Sequence, residues 1–402
     1  MRLDAAGVGL RERTKVAPSL GLMHYALLLA GLGTALLGPI LPLLATQWKL
    51  NDAQSGVLML AKFCGAFVGG VSVSRNLRRS LLVGLTAGAT GFWCFAVAPS
   101  MAVGCGSLFV AGFGIGQVIT ATNILAGRRF TVHRGSALSL LNFSFSLGAM
   151  LSALLAAWLL PHFTLRHLLE WFAGTFVLAA GALLAETRGA AEELEWTAPG
   201  TATSDKTQSG LGAQIYLYFA GLLFLYGGLE TCLSGWLTTF ALRYGSRTLV
   251  ISEYTTLLLW MSLTVGRALA SAIMLRVGER TVQRWGLALT AIFTAGLALS
   301  HSALLIAACS VLLGLSLAPF FPSTWALLMA NSPTARQAGI VLAVSGLGAA
   351  ALPWLMGIVS TGTGSLQVAL ALPLLTALAL LTMSMSSSST KRMTDFPEQH
   401  GV

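Results

Sequence analysis

Three ionisable residues, Lys62, Glu230 and Arg267, lie inside long apolar runs of this sequence. Glu230 is in the middle of the segment FLYGGLETCLSGW, and Arg267 follows a glycine in the next apolar run. A charge inside a bilayer is energetically costly, so such residues mark candidate sites for a proton, an ion or a polar solute. Glu230 could exchange a proton as its access to water changes, or accept a hydrogen bond from a solute hydroxyl group. Alternatively, Glu230 has a structural role and pairs with a neighbouring helix or with the backbone.

The composition identifies a membrane protein. Of the 402 residues, 55% are hydrophobic and 9% are charged, and the mean hydropathy is +0.77, whereas soluble domains carry roughly 25% charged residues. Apolar runs of about 20 residues span a bilayer as helices, and apolarity without alternation excludes a barrel. The sequence therefore predicts an all-α fold with twelve transmembrane spans: 20–45, 54–74, 80–98, 101–126, 136–160, 168–186, 213–240, 251–274, 283–300, 302–330, 338–360 and 364–385.

The basic residues predict the orientation of these spans. Eighteen of the 24 lysines and arginines fall in the N-terminal segment, the even-numbered connections and the C-terminal tail, and four fall in the odd-numbered connections. This bias predicts that both termini, residues 1–19 and 386–402, are cytoplasmic in a multi-pass protein of the cell (inner) membrane. The short basic clusters also explain the net charge of +10 without nucleic acid as a partner.

A polar stretch at residues 187–212 separates two sets of six spans, residues 20–186 and 213–385. Similar residues recur in the two sets at an offset of about 200 residues, as in Arg75 and Arg276 or Leu147-Gly-Ala149 and Leu347-Gly-Ala349. Two parallel six-helix halves are the organisation of major facilitator transporters, which bind their substrate near the middle of the membrane between the halves. The sequence therefore predicts two pseudo-symmetric bundles joined by a cytoplasmic linker.

A loop motif carries the family resemblance. The segment GVSVSRNLRR, residues 70–79, resembles the major facilitator motif glycine-x-leucine-x-aspartate-arginine-x-glycine-arginine-arginine. Ser74 stands in place of the aspartate and Leu77 in place of the second glycine, which weakens the salt bridge that the family uses to lock its outward-open state. The resemblance implies gating roles for the arginines of the two equivalent loops, and Arg267 is also assigned to gating: Arg75, Arg79, Arg267, Arg276 and Arg280.

Several spans resemble one branch of this superfamily, the fucose permease-like sugar:proton symporters. The segment FLYGGLETCLSGW with the following LTTFAL is similar to their seventh helix, and residues 121–123, 135–143, 260–267 and 318–323 are also similar. The resemblance implies a monomeric secondary transporter that imports a monosaccharide, a hexose, together with a proton by alternating access. One departure is the absence of an acidic residue from the first and fourth spans.

The candidate site residues follow from these observations. Glu230 and Lys62 are the candidates for proton coupling, and Lys62 could pair with Glu230 or bind the solute. Sugar recognition requires amides and carboxylates for hydroxyl groups and aromatic faces for the ring, although tryptophans also serve in packing. The predicted substrate-binding residues are Gln117, Asn123, Asn142, Glu230, Trp236, Trp260, Phe321 and Trp325.

Other functions remain as alternatives. An exporter of drugs or metabolites would use the same fold, and so would a sodium-coupled or uncoupled sugar carrier. An enzyme is not expected, because the six histidines are scattered and no nucleophile, base or paired carboxylates occur together within the spans. The five cysteines lack metal-binding spacing, so neither a metal nor a cofactor is predicted.

Overall fold

The computed structural model describes residues 18–74, 76–129, 134–187, 211–245, 254–274, 276–331 and 335–390, and this part of the chain is helical throughout apart from short turns. Its helices are α1 Leu20–Ala35, α2 Leu37–Gln47, α3 Asp52–Val71, α4 Leu77–Ala96, α5 Met101–Arg129, α6 Arg134–Leu159, α7 Leu165–Thr187, α8 Ala213–Tyr244, α9 Thr255–Met274, α10 Glu279–Ala298, α11 Ala303–Leu317, α12 Phe320–Ala330, α13 Ala335–Thr363, α14 Leu366–Ala369 and α15 Ala371–Thr390.

These helices confirm the predicted fold class. Each of the twelve predicted spans coincides with one helix, or with a pair of consecutive helices in the case of α1–α2, α11–α12 and α14–α15. Nine spans in the described residues are long and apolar enough to cross a membrane, and α4, α9 and α10 complete the twelve by their position in the chain. Most of the predicted linker, residues 188–210, lies outside the described residues.

Prolines explain why three spans are divided. Proline has no N–H group, and its ring clashes with the carbonyl group four residues earlier. Pro39 therefore breaks the first span next to Leu36, and Pro319 and Pro322 separate α11 from α12. Pro373 follows the end of α14 in the same way. The break in the first span matters for the site, because it lies beside the carbonyl group of Thr34.

We refer to α1–α7 as the first half of the chain and to α8–α15 as the second half; the two halves meet mainly along α2 with α8, α3 with α13 and α6 with α9. Consecutive spans alternate in direction. We name the membrane side where α1 begins and α7 ends the basic face, because most of the arginines lie there, and the other side the opposite face. The odd-numbered spans, which include α1–α2, α6 and α8, all run from the basic face to the opposite face.

Glycines allow the helices of each group to approach closely. On α5, a Cβ atom added to Gly112 or Gly116 would overlap the backbone of α3, and one added to Gly65 or Gly69 on α3 would overlap the backbone of α5. Such small-residue contacts hold membrane helices together, because lipid gives helices no hydrophobic reason to associate. Close α3–α5 packing therefore fixes the position of Lys62, whose backbone carbonyl group faces Gly112.

Gly112→Ala should destabilise the fold, because the new methyl group would collide with the Lys62 carbonyl oxygen. Overpacking of this kind costs about 1–3 kcal/mol, which should lower the melting temperature of the detergent-solubilised protein. Gly106→Ala is the matched control on the same helix, because nothing lies within 4 Å of a Cβ atom at that position. Equal melting temperatures for the two variants would contradict the close α3–α5 packing.

Candidate functional site

Glu230 and Arg267, the two ionisable residues predicted inside the spans of the second half, form an ion pair near the middle of the membrane. The Arg267 Nη2 atom on α9 lies 3.3 Å from the Glu230 Oε1 atom on α8. The Arg267 Nη1 atom also donates a hydrogen bond to the Ser146 hydroxyl group on α6, in the first half. One guanidinium group therefore links three helices and both halves of the molecule.

An aromatic surface lies beside this pair. Tyr226 precedes Glu230 by one helical turn, and its hydroxyl group lies next to the Glu230 carboxylate and the Arg267 guanidinium without the geometry of a hydrogen bond to either. The Tyr226 ring stacks on Phe320 at a centroid distance of 4.7 Å. On the same short helix, α12, the rings of Phe321 and Trp325 are stacked at 6.2 Å. The predicted aromatic candidates Phe321 and Trp325 thus belong to one cluster with Tyr226.

The ion pair is reachable from the space around it. The side chains of Glu230 and Arg267 each keep 19% of their surface exposed. The fully packed residues of the same helix, such as Trp236 at 1%, have almost none. Part of each side chain therefore borders the space between the helices, unlike the fully packed residues of α8.

Lys62 does not pair with Glu230 in this structure. Its Nζ atom donates to the backbone carbonyl oxygen of Thr34, at 2.5 Å, and lies 4.6 Å from the centre of the Phe63 ring. Thr34 is two residues before the break in the first span, and Lys62 is only 2% exposed. The hypothesis of a Lys62–Glu230 pair thus gives way to an Arg267–Glu230 pair, and a cation remains buried in the first half.

Two of the predicted tryptophans are packed between helices. The Trp236 indole N–H donates to the Pro353 carbonyl oxygen at 3.1 Å and is fully buried against α13. Helix packing therefore accounts for Trp236 in this arrangement. Trp260 is also buried, but its Nε1 atom has no hydrogen-bond partner among the described residues. An indole N–H without a partner is available to a solute or to a water molecule.

The amides of the first half have local partners. Gln117 Nε2 donates to the Ser72 hydroxyl group at 3.1 Å, whereas its Oε1 atom has no partner in the described part of the chain. Asn123 Nδ2 donates to the Ile119 carbonyl oxygen of its own helix at 2.9 Å. Asn142 is half-buried on α6 and also has a partner. These three residues are spread along α5 and α6.

The loop arginines lie at the basic face. Arg75 is outside the described residues. Ser74, which stands in place of the motif's aspartate, bonds locally: its backbone N–H donates to the Ser80 hydroxyl group at 2.9 Å, and its own hydroxyl group donates to the Asn76 carbonyl oxygen. The side chains of Arg79 and Arg276 are exposed, and Arg280 is partly exposed. Their gating role stays a prediction.

A second group of polar residues, not recognised from the sequence, joins the two halves at the opposite face. Asp52 begins α3 and forms a bidentate ion pair with Arg243 near the end of α8, at 2.8 and 2.9 Å. The same carboxylate accepts a hydrogen bond from Ser360 on α13, and the Ala53 N–H donates to Thr361. We name Asp52, Arg243 and Ser360 the closure cluster, because it holds the first half against two helices of the second half.

The sequence held a weak signal for this cluster. Asn51 and Gln54 form a reciprocal capping box at the start of α3, and the pattern of an Asn cap followed by polar residues marks a helix start. Such residues are common at membrane interfaces, so nothing in the pattern distinguished Asp52 from an ordinary interfacial residue. In the described residues, no group of three or more side chains could hold a metal ion.

Comparisons with known proteins agree with this architecture. The family model of the Major Facilitator Superfamily matches residues 23–353. Similar solved structures include the E. coli fucose:proton symporter FucP (15% identity, 91% of this chain and 98% of that chain, TM-score 0.62) and the E. coli xylose transporter XylE in a partially occluded inward-open conformation (12%, 91% and 98%, TM-score 0.73). A bacterial homologue of the human lysosomal transporter Spinster, inward-facing and unoccupied, is also similar (12%, 94% and 98%, TM-score 0.76). No curated protein matches the chain by sequence.

The fold and the charged site between two helical halves define a membrane transporter rather than an enzyme. The family model covers most of the chain, so this chain belongs to the Major Facilitator Superfamily. The identities of the similar structures are low, and these structures therefore show a shared fold and not a shared substrate.

Asp52→Asn should open the opposite face. Removal of the charge leaves Arg243 without its bidentate partner and weakens the only ion pair that joins the halves there among the described residues. Spin labels at Gln47 and Thr363, in a variant without the five native cysteines, should report a larger population of long distances.

Glu170→Gln is the matched control for this experiment. It removes the Arg166–Glu170 ion pair, which lies on the same face but within a single helix. We expect no change in the distance distribution for this variant. An unchanged distribution for Asp52→Asn would remove the closure cluster from the gating of the protein.

Proposed function

We propose that this protein is a secondary transporter that imports a monosaccharide together with a proton by alternating access. The observation that carries the proposal is the Glu230–Arg267 pair, which lies in the membrane interior and is connected to the other half through Ser146. Glu230 is the proton-coupling group and also a hydrogen-bond acceptor for the sugar. Arg267 is the group that responds to the charge of Glu230.

The coupling argument rests on electrostatics. While Glu230 is ionised, Arg267 has a counter-ion in the second half and a neutral hydrogen-bond partner, Ser146, in the first half. Protonation of Glu230 removes the charge that holds Arg267, and the link between the halves must then be rebuilt. A proton bound at this position therefore changes the balance between two arrangements of the halves, which is the requirement for coupling.

The sugar argument rests on the aromatic cluster. Carbohydrate sites combine hydrogen-bonding carboxylates and amides with aromatic faces that cover the apolar side of the ring. Glu230 supplies the carboxylate, and the half-buried, stacked rings of Phe321 and Trp325, the first of which lies against buried Tyr226, supply the aromatic surface. The fucose:proton symport and xylose transport named for two of the similar structures are in line with this proposal.

The orientation is also part of the proposal. The excess of arginines at the basic face supports a cytoplasmic position for that face and for both termini. The closure cluster then lies on the outside, and the structure corresponds to a state closed towards the outside. The two similar structures described as inward-facing or inward-open, with TM-scores of 0.76 and 0.73, are in line with this assignment.

Glu230→Gln should abolish accumulation of sugar driven by a proton gradient while some exchange of sugar across the membrane continues. Glutamine keeps the size and the hydrogen-bonding capacity of the side chain but cannot change its charge. The measurement is uptake of labelled glucose, galactose and fucose into proteoliposomes, with and without an inward proton gradient.

The control for this variant is Glu170→Gln, because Glu170 is an acidic residue at the opposite face, outside the site. It should accumulate sugar as the unmodified protein does. Gradient-driven accumulation by Glu230→Gln at the level of the unmodified protein would show that Glu230 does not couple transport to protons.

Phe321→Leu should weaken sugar binding without loss of proton coupling, because it removes one face of the aromatic cluster and leaves Glu230 in place. Loss of an aromatic contact of about 0.5–1.5 kcal/mol corresponds to a roughly two- to twelvefold rise in KM. Initial rates of uptake over a range of sugar concentrations give this value. Phe163→Leu, at the opposite face against Trp171, is the control, and an equal effect of both changes would exclude Phe321 from the sugar site.

A further inference from the structure

Basic side chains outnumber acidic ones in the membrane interior. Among the described residues, the interior positions hold two basic side chains, Lys62 and Arg267, and one acidic side chain, Glu230. The other carboxylates whose side chains the structure describes bond to partners near helix ends: Asp52 to Arg243, Glu170 to Arg166 and Glu186 to Ser19. Since Glu230 is paired with Arg267, no protein anion in the described part of the chain remains for Lys62.

The surroundings of Lys62 provide only part of what an ammonium group requires. An ammonium group has three N–H donors and a full positive charge, and buried charges in proteins are normally paired. Lys62 has one carbonyl oxygen, from Thr34, and the face of the Phe63 ring. Both are neutral, so a positive charge on Lys62 would have no counter-charge among the described residues.

The packing of α2 against α8 brings Lys62 and Glu230 to the same depth in the membrane. Gly38 on α2 lies against the backbone of Ser234 on α8. Thr34 precedes Gly38 by four residues, and Glu230 precedes Ser234 by four residues. Both helices run in the same direction with a rise of about 1.5 Å per residue. The Thr34 carbonyl group that binds Lys62 therefore lies within about one helical turn of the level of Glu230.

A second contact leads to the same conclusion. Met59 on α3 fills the space above Gly235 on α8. Lys62 follows Met59 by three residues and therefore lies on the same side of α3, one turn nearer the basic face. Glu230 lies in the same direction from Gly235 along α8. Lys62 thus lies at the junction of the two halves, on the level of the Glu230–Arg267 pair.

We propose that the transported solute is a sugar acid, a monosaccharide with one carboxylate, and that Lys62 binds this carboxylate. This inference rests on the proposed function and specifies its substrate class. Glu230 and the aromatic cluster contact the hydroxylated ring, while the solute supplies the anion that Lys62 lacks. While Glu230 is ionised it neutralises Arg267, so that Lys62 is the basic group left for a solute anion, which matches a monoanion better than a sugar phosphate. When the halves move apart, the flexible lysine side chain leaves Thr34 for the solute.

The test is uptake into proteoliposomes under an inward proton gradient, with labelled D-glucuronate and D-galacturonate compared with glucose, galactose and glucose 6-phosphate. The expected result is a value of kcat/KM at least tenfold higher for the acids than for the neutral sugars and the phosphate. Transport of neutral sugars alone would overturn this inference and leave the proposed function intact. Transport of none of these compounds would overturn both. Uptake of the acids at the same rate with and without the proton gradient would overturn proton coupling but not the substrate class.

Variants of Lys62 identify the residue responsible. Lys62→Gln should lower the acid-to-neutral ratio of kcat/KM at least tenfold, and Lys62→Arg should restore most of that ratio because it restores the charge. Lys49→Gln, at the exposed turn after α2, is the control and should leave the ratio unchanged. An unchanged ratio in Lys62→Gln would exclude Lys62 as the carboxylate-binding group.

Binding can also be measured without transport. D-glucuronate should raise the melting temperature of the detergent-solubilised protein more than glucose does at the same concentration, because a ligand that binds only the folded state stabilises it. The difference should disappear in Lys62→Gln. Equal stabilisation by the acid and the neutral sugar would contradict the proposal even if a variant failed to transport for other reasons.

Discussion

The cost of a charge in the membrane interior governs the organisation of this protein. A charged carboxylate or guanidinium is stable away from water only when a partner of opposite charge and further hydrogen bonds replace the lost hydration. Glu230 and Arg267 satisfy each other in this way, and Arg267 also reaches Ser146 in the other half. The stability of the junction between the halves is thereby connected to the charge state of one carboxyl group.

Polar contacts between the halves are confined to two places in the described residues. The described hydrogen bonds that cross between the halves occur at the opposite face, around Asp52, and in the interior, around Arg267. Between them the helices meet through small or apolar residues, such as Gly38 against α8 and Gly56 against α13. Within the described helices, such surfaces hold no hydrogen bonds that must be broken when the halves move. A few exchangeable polar contacts can therefore decide which arrangement is more stable.

The sequence predicted the membrane-spanning helices well, but it did not predict which side chains on those helices pair with one another. Twelve spans could be predicted because a helix in lipid must satisfy its own backbone, which makes a long apolar run nearly sufficient evidence. The interior positions of Glu230, Arg267 and Lys62 could be identified for the same reason. Their pairing could not, since it depends on the depth and rotation of each helix relative to its neighbours. Asp52 and Arg243 lie 191 residues apart in the chain, and neither stands out from the usual polar residues of a membrane interface.

Arginine is well suited to the position of Arg267 for a geometric reason. Its guanidinium group has five N–H donors in a fixed plane, so it can bind two acceptors in different directions at once, whereas lysine offers a single point charge on a flexible stem. Arg267 uses this geometry to contact Glu230 in its own half and Ser146 in the other. Lys62 has the opposite properties: its long, flexible side chain rests on one backbone carbonyl oxygen and can leave it without disturbing a network. The fixed cation suits a connection between the halves, and the movable cation suits a solute that enters and leaves.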